Sequence, residues 1–360
     1  MTSMSAKAMA RRATQAANEV WECGGVGAEA GMNARGRSGN LTKEFRDGAA
    51  LLVGLFAATT NWPKMLAAMQ QAQLAPFLGA LVSISLVVWL YDSLCLLWLV
   101  RRTLGHAGAP GGDSLRELMS LKGASYLINM LNYHAAALGM AWLLARRKQV
   151  PFLEAAGALA LLSYMDILTV TAMSMVGIWL APEFFGPYPE LQTFLKAVAV
   201  LVFGGALSSV LLLQSSLDLP VLRKLRALAP LRPLAALKPA RMLEGIALRA
   251  GILALYTGSV WWLVQFFGMV PDLGRLCVAM PIITVVGTLP ISVSGVGSTQ
   301  VLMRSFYAPF VGDGRDPAAV VDAFSTLYIF CGALCRLAIA APFFRAIAAE
   351  LKGRTGDDGG

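Results

Sequence analysis

The chain has 360 residues and a mass of 38.3 kDa; 57% of the residues are hydrophobic, 14% are charged, and the mean hydropathy is +0.62. Soluble domains carry about 25% charged residues, so these few charges do not cover the two soluble domains that such a length suggests. A soluble enzyme, a secreted disulfide scaffold and a disordered tail protein all fit poorly. The composition reads as an all-α polytopic membrane protein.

The net charge of +9 reads as Lys/Arg-rich cytoplasmic loops beside anionic headgroups rather than as a nucleic-acid surface, because the basic residues fall between apolar runs. The five cysteines form no framework. Four of them, Cys95, Cys277, Cys331 and Cys335, sit in apolar segments, where a thiol behaves as a small hydrophobe. Cys331 and Cys335 share one helical face without a neighbouring His or Cys to complete a metal tetrad. Neither a metal nor another cofactor is expected.

In chain order, residues 1–47 are basic and Gly-rich with no continuous apolar core of a secretory signal, and read as a disordered cytoplasmic tail. The short run 49–60 reads as a marginal span or an interfacial helix. Strong spans are expected at 74–100, 152–181, 194–213, 246–269 and 318–343, with a shorter apolar run at 276–289. The membrane domain is thus 48–345, and 346–360 is a short cytoplasmic tail. The run 123–145 is apolar but interrupted by Asn129, Asn132, Tyr133, His134 and Gly139. About six to eight membrane helices result.

Charge sets the orientation. If 1–47, 101–122, 146–148, 220–249 and 343–360 are cytoplasmic, they hold every Lys and Arg except Lys64, Lys196, Arg275, Arg304, Arg315 and Arg336. The opposite loop at 182–190 carries Glu183 and Glu190 and no basic residue. Both termini are then cytoplasmic. Basic residues flank 123–145 on both sides, so this segment enters and leaves from the cytoplasm, as a re-entrant hairpin or a pair of short helices. By the same parity 276–311 enters and leaves from the outer face. Its middle, Pro290-Ile-Ser-Val-Ser-Gly295-Val-Gly297, does not continue a helix. Two breaks entering from opposite faces are a pattern of secondary transporters with inverted repeats; ordinary packing breaks or extramembrane loops are the plainer reading. A weak internal repeat agrees with the first: each break leads through a short helix and a turn into an Ala-rich span.

Polar residues at membrane depth mark the candidate site. Asp92, Asp166, Asp322 and Arg336 fall inside spans, where a charge costs about 2.5–3.5 kcal/mol on insertion scales and needs a partner or a water-filled cavity. Asp166 is the deepest, with either a structural hydrogen bond or a substrate or proton role. His134, beside Asn132 and Tyr133, reads first as a neutral core histidine. The hydroxyls of Ser292, Ser294, Ser298 and Thr299, with the amides around Gly295 and Gly297, are suited to a phosphate at a helix start; the same glycines equally suit close helix packing. The sequence shows no catalytic constellation, so an enzyme is the minority reading.

The stretch Gly287-Thr-Leu-Pro-Ile-Ser-Val-Ser-Gly-Val-Gly-Ser-Thr-Gln300, with the short helix, Gly312 and Ala-led helix after it, resembles the second signature of the lysylphosphatidylglycerol synthetase transmembrane-domain, or flippase-like, family. Tyr126 to Asp166 resembles its first signature, through Asn132, Gly139, Arg146-Arg147, a Val-Pro-Phe turn and the intramembrane Asp. The family's Pro-Gly and acidic residue around the first signature Gly are absent at Ala135 to Leu138 and Met140, and Thr299-Gln300 replaces its closing Arg-Glu pair. The resemblance covers roughly 50–345 and implies a multi-pass protein of the inner (plasma) membrane. With 16 residues after Phe344, no soluble aminoacyl-transferase domain is expected.

The expected function is translocation of a phospholipid or lipid-linked substrate. Its headgroup would sit at the broken motif 287–300 against Pro290, Ser292, Ser294, Gly295, Gly297, Ser298, Gln300 and Arg304, with Asn132, Tyr133, His134, Gly139 and Asp166 lining the path. The alternative is a non-transporting scaffold that presents lipid to a membrane-enzyme partner. An integral-membrane transferase is a third, lesser reading.

Overall fold

A computed structural model describes residues 60–104, 114–129, 133–185, 189–214, 220–288 and 298–355. Among them are twelve α-helices and no strand. Five are long and apolar enough to cross a membrane: α2 (Leu74–Thr103), α5 (Phe152–Leu180), α6 (Pro189–Gln214), α9 (Pro239–Leu263) and α12 (Pro317–Thr355). All five strong runs of the sequence therefore fold as spans. The remaining helices are α1 (Trp62–Gln71), α3 (Leu115–Asn129), α4 (Tyr133–Lys148), α7 (Pro220–Ala227), α8 (Arg232–Ala236), α10 (Leu273–Thr288) and α11 (Ser298–Tyr307). The tail 1–47 and the run 49–60, apart from Thr60, lie outside the described residues.

The interrupted run 123–145 is the centre of a longer pair of helices, α3 and α4, packed on one another. At 1.5 Å per residue their 15 and 16 residues reach about 22–24 Å, short of the roughly 30 Å of a hydrocarbon core. The base of the pair is tied by Lys148 to Glu117 at 3.5 Å and by Arg147 Nη1 to Ser120 Oγ at 3.4 Å. The second pair, α10 and α11, is also short, at 16 and 10 residues. Its base is closed by a bridge between Met269 and Val311 and by the Val270 amide donating to the Phe310 carbonyl at 2.8 Å. Arg315 then caps the end of the preceding helix by donating to the Phe267 carbonyl at 2.8 Å and to the Gly268 carbonyl, where the chain turns at φ +66. Each segment leaves and returns at one place.

The two bases lie at opposite ends of the bundle. The start of α2 meets the end of α9, through the Gln73 amide on the Phe266 carbonyl at 3.0 Å and an edge-on Phe77–Phe267 contact at 5.2 Å. These residues share an apolar cluster with Tyr307, Phe310 and Phe324 around the second base. At the other end Arg102 of α2 faces Glu244 of α9, and Leu104 packs with Leu118, Leu144 and Val150 around the first base. Helices α2 and α9 are thus antiparallel, and the order long helix, short pair, long helix occurs twice: α2–α3/α4–α5 and α9–α10/α11–α12. Each short pair packs on the closing helix of the other half, α3 on α12 and α10 on α5.

Local chemistry explains the close approaches. A Cβ at Gly177 of α5 would lie 2.8 Å from the backbone of Cys277 and Val278 of α10, and one at Gly157 would lie 2.2 Å from the Pro230 carbonyl oxygen. Asp316 starts α12 by accepting from the Ala318 and Ala319 amides, and takes Lys64 Nζ of α1 at 2.9 Å, a hydrogen bond that holds its carboxyl below the usual carboxylate range. Helix α12 continues past the apolar stretch to Thr355, so the segment assigned as a tail begins as helix: the charges end hydrophobicity there, not helix propensity. Replacing Gly177 by Ala should cost about 1–3 kcal/mol through overpacking. A fall in Tm in detergent checks this, with Gly204→Ala, where a Cβ meets nothing within 4 Å, leaving Tm unchanged.

Candidate functional site

Between the two apolar clusters the bundle carries a layer of charge. On α2, Asp92 falls between Leu81 of one cluster and Leu96 of the other; on α9, Arg249 falls between Met242 and Val260. Arg249 donates through Nη1 to Asp92 Oδ1 at 2.7 Å, and through Nε and Nη2 to both oxygens of Asp166, the second at 2.7 Å. Lys122 Nζ of α3 contacts Asp92 Oδ2 at 2.6 Å. The result is an alternating chain, Lys122–Asp92–Arg249–Asp166, drawn from four helices and summing to zero charge. A buried ion is tolerated only when paired and hydrogen-bonded, and the two-pronged guanidinium–carboxylate contact is the strongest such pairing.

The chain of charges borders a cavity of about 60 Å³, room for a few water molecules. Lys122, Tyr126 and Asn129 of α3, Ser163 and Asp166 of α5, and Arg249 of α9 supply its polar wall; Ala136, Ala137 and Met140 of α4 supply an apolar side. Asp166 is the more open carboxylate, 28% exposed at its side chain against 12% for Asp92. The first short pair thus closes over a neutral, polar pocket at mid-helix. Its wall holds two cations and one carboxylate, with Lys122 paired to Asp92 and Arg249 paired to both aspartates.

A second polar contact fixes the second short pair. Arg304 of α11 donates to both oxygens of Asp322 of α12, at 3.0 and 2.5 Å, and Gln300 Nε2 donates to Thr326 Oγ1 at 3.2 Å. The residues are four apart on each helix, so two rungs join two facing stripes. Asp322 is 2% exposed. Gln300 and Arg304, expected to meet substrate, lock α11 onto α12.

A family model for the lysylphosphatidylglycerol synthase TM region matches residues 47–335. The chain belongs to that family. With its spanning helices, membership makes it a multi-pass integral membrane protein. No curated protein and no solved structure matches the chain.

Within this lysylphosphatidylglycerol synthase TM region, the structure brings few of the sequence candidates together. Asp166 lines the cavity. Gly139 lies in α4 where a Cβ would meet Ile128 of α3 at 3.4 Å, so it packs the first pair. Tyr133 and His134 open α4, and Ser298 opens α11. Asn132, Pro290, Ser292, Ser294, Gly295 and Gly297 lie outside the described residues. The partner that the intramembrane Asp166 needs is Arg249.

Arg249 and Lys122 are the residues that sequence reasoning missed, because both were counted as loop charge. Pro239 at the first position of a helix is the signal that places Arg249 almost three turns inside. Replacing Arg249 by Gln should destabilise the protein by about 3–5 kcal/mol, since two carboxylates lose one shared cation. Tm in detergent checks this, and the R249Q/D166N double variant should be more stable than R249Q alone.

Proposed function

We propose that this membrane protein moves an anionic phospholipid or lipid-linked substrate between leaflets of the inner (plasma) membrane, and that the headgroup is received in the cavity under the first short pair. The observation that supports this best is the pair of cations, Lys122 and Arg249, facing a cavity at mid-helix. A lipid that crosses needs a polar resting place at the depth where bilayer hydrocarbon offers none. The layout of the two short pairs fits the role: each helix pair is too short to span, each is pinned at an opposite end, and each leans on the closing helix of the other half. In this reading they dip into the membrane from opposite faces, the first from the cytoplasm, with both termini cytoplasmic. Rocking of one half against the other would open the cavity to one leaflet and then the other, provided binding differs between the two states. The chain is read as a transporter and not as an enzyme.

The test uses purified protein in vesicles of phosphatidylcholine and phosphatidylglycerol, with an acyl-labelled fluorescent phosphatidylglycerol and a membrane-impermeant quencher. Wild type should move the label between leaflets, and Lys122→Gln should slow that movement at least tenfold while the protein remains folded. Wild-type vesicles no faster than protein-free ones would overturn the proposal and favour a scaffold that presents lipid to a membrane-enzyme partner.

A further inference from the structure

We propose that the cavity takes up one proton with each anion it binds: a phosphodiester seats on Lys122 and Arg249, Asp166 leaves Arg249, and its carboxylate takes a proton from water. The inference rests on the headgroup reading above and adds the ion coupled to it. Its basis is charge balance at a site with little solvent. Lys122, Asp92, Arg249 and Asp166 sum to zero as they stand. A phosphodiester brings one negative charge, and an uncompensated charge among spanning helices is costly. Protonating one carboxylate restores neutrality.

The geometry selects which one. Asp92 is held by Lys122 at 2.6 Å and by Arg249 at 2.7 Å and does not line the cavity. Asp166 lines it, is the more exposed of the two, and among the described residues pairs with Arg249 alone within 4 Å. The edge of Arg249 that Asp166 occupies, Nε and Nη2, is the edge that receives a phosphate in two-pronged fashion. Among the described residues, the other titratable groups near Asp166 are Tyr126 of α3 and Cys95 of α2, with Arg336 of α12 and Tyr256 of α9 beyond Tyr126. Tyrosine, cysteine, lysine and arginine already hold their protons at neutral pH, so among the described side chains around the cavity an aspartate is the group left to gain one. The side chains that α4 presents to the cavity are Ala136, Ala137 and Met140. On release the proton returns from the Asp166 carboxyl to water and Arg249 closes on it again, so nothing is consumed. Anion and proton cross as a neutral pair, and a pH difference across the membrane gives the movement a direction.

The test is calorimetric titration of the full chain with dihexanoyl phosphatidylglycerol, a phosphodiester whose charge is constant around neutral pH, in two buffers of different ionisation enthalpy. About one proton should be taken up per molecule bound, and Kd should rise about tenfold per pH unit on the alkaline side. Uptake should vanish in Asp166→Asn, which lacks the carboxylate that takes the proton. Should a variant not fold, the wild type still reports: adding the lipid should raise the infrared band of a protonated carboxyl. Saturable binding with no proton uptake and a pH-independent Kd would overturn the coupling and leave the headgroup site standing. Proton uptake that persists in Asp166→Asn would overturn the assignment to Asp166. Absence of saturable binding would overturn both readings.

Discussion

Two cations and two carboxylates meet in the interior of a bundle of membrane helices, and the rest of the structure is arranged to keep them satisfied. Asp92, Lys122, Asp166 and Arg249 come from α2, α3, α5 and α9, so the contact exists only when those four helices pack in one register. Within hydrocarbon, an arginine without its carboxylates or an aspartate without its cation is among the most costly residues a helix can carry. The cluster therefore acts as a register pin as well as a polar site. The apolar clusters on either side follow from it: the Phe77–Phe267–Phe324 aromatics at one end and the leucines around Leu96, Leu118 and Leu144 at the other fill the space that the charges leave.

The second constraint is length. Helices of 10 to 16 residues do not cross a bilayer alone, and both pairs of them return to where they started, through Lys148–Glu117 in one and Met269–Val311 in the other. Each pair is then held by the opposite half of the chain. For α10 the contact is a backbone approach to α5 that only Gly177 permits; α11 is held within its own half, by the Arg304–Asp322 and Gln300–Thr326 rungs on α12. The halves share topology but not chemistry. The first carries its charges toward a cavity, whereas the second uses them to join helices, and this asymmetry is why the cavity is read as the headgroup site.

The legible part of the sequence was what a single segment reveals by itself. Five apolar runs became five spans, and the Asn- and Gly-broken run 123–145 marked the first short pair. Its true limits, Leu115–Asn129 and Tyr133–Lys148, were hidden because Arg116 and Lys122 look like loop residues. Asp166 was legible from its depth alone. Its partner was not: Arg249 is 83 positions away, and counting basic residues as cytoplasmic placed it in a loop. Gln300 and Arg304 were legible as polar residues in an apolar setting, but only the facing stripe of α12 shows what they touch. Long-range pairing between charges carries no local pattern, and this is where sequence reasoning stopped.

The most direct test of the account asks whether the two short pairs open on opposite sides of a membrane. Single cysteines at Ser114, Gln149, Val270 and Asp313, all exposed at the bases of the pairs, would be placed in a background without Cys23, Cys95, Cys277, Cys331 and Cys335 and labelled with an impermeant thiol reagent in intact and opened cells. The account expects positions 114 and 149 to label only when the cytoplasm is opened, and 270 and 313 to label from outside in intact cells. Labelling of 114 and 149 from different sides would contradict it, because α3 and α4 could not then return to the face they left.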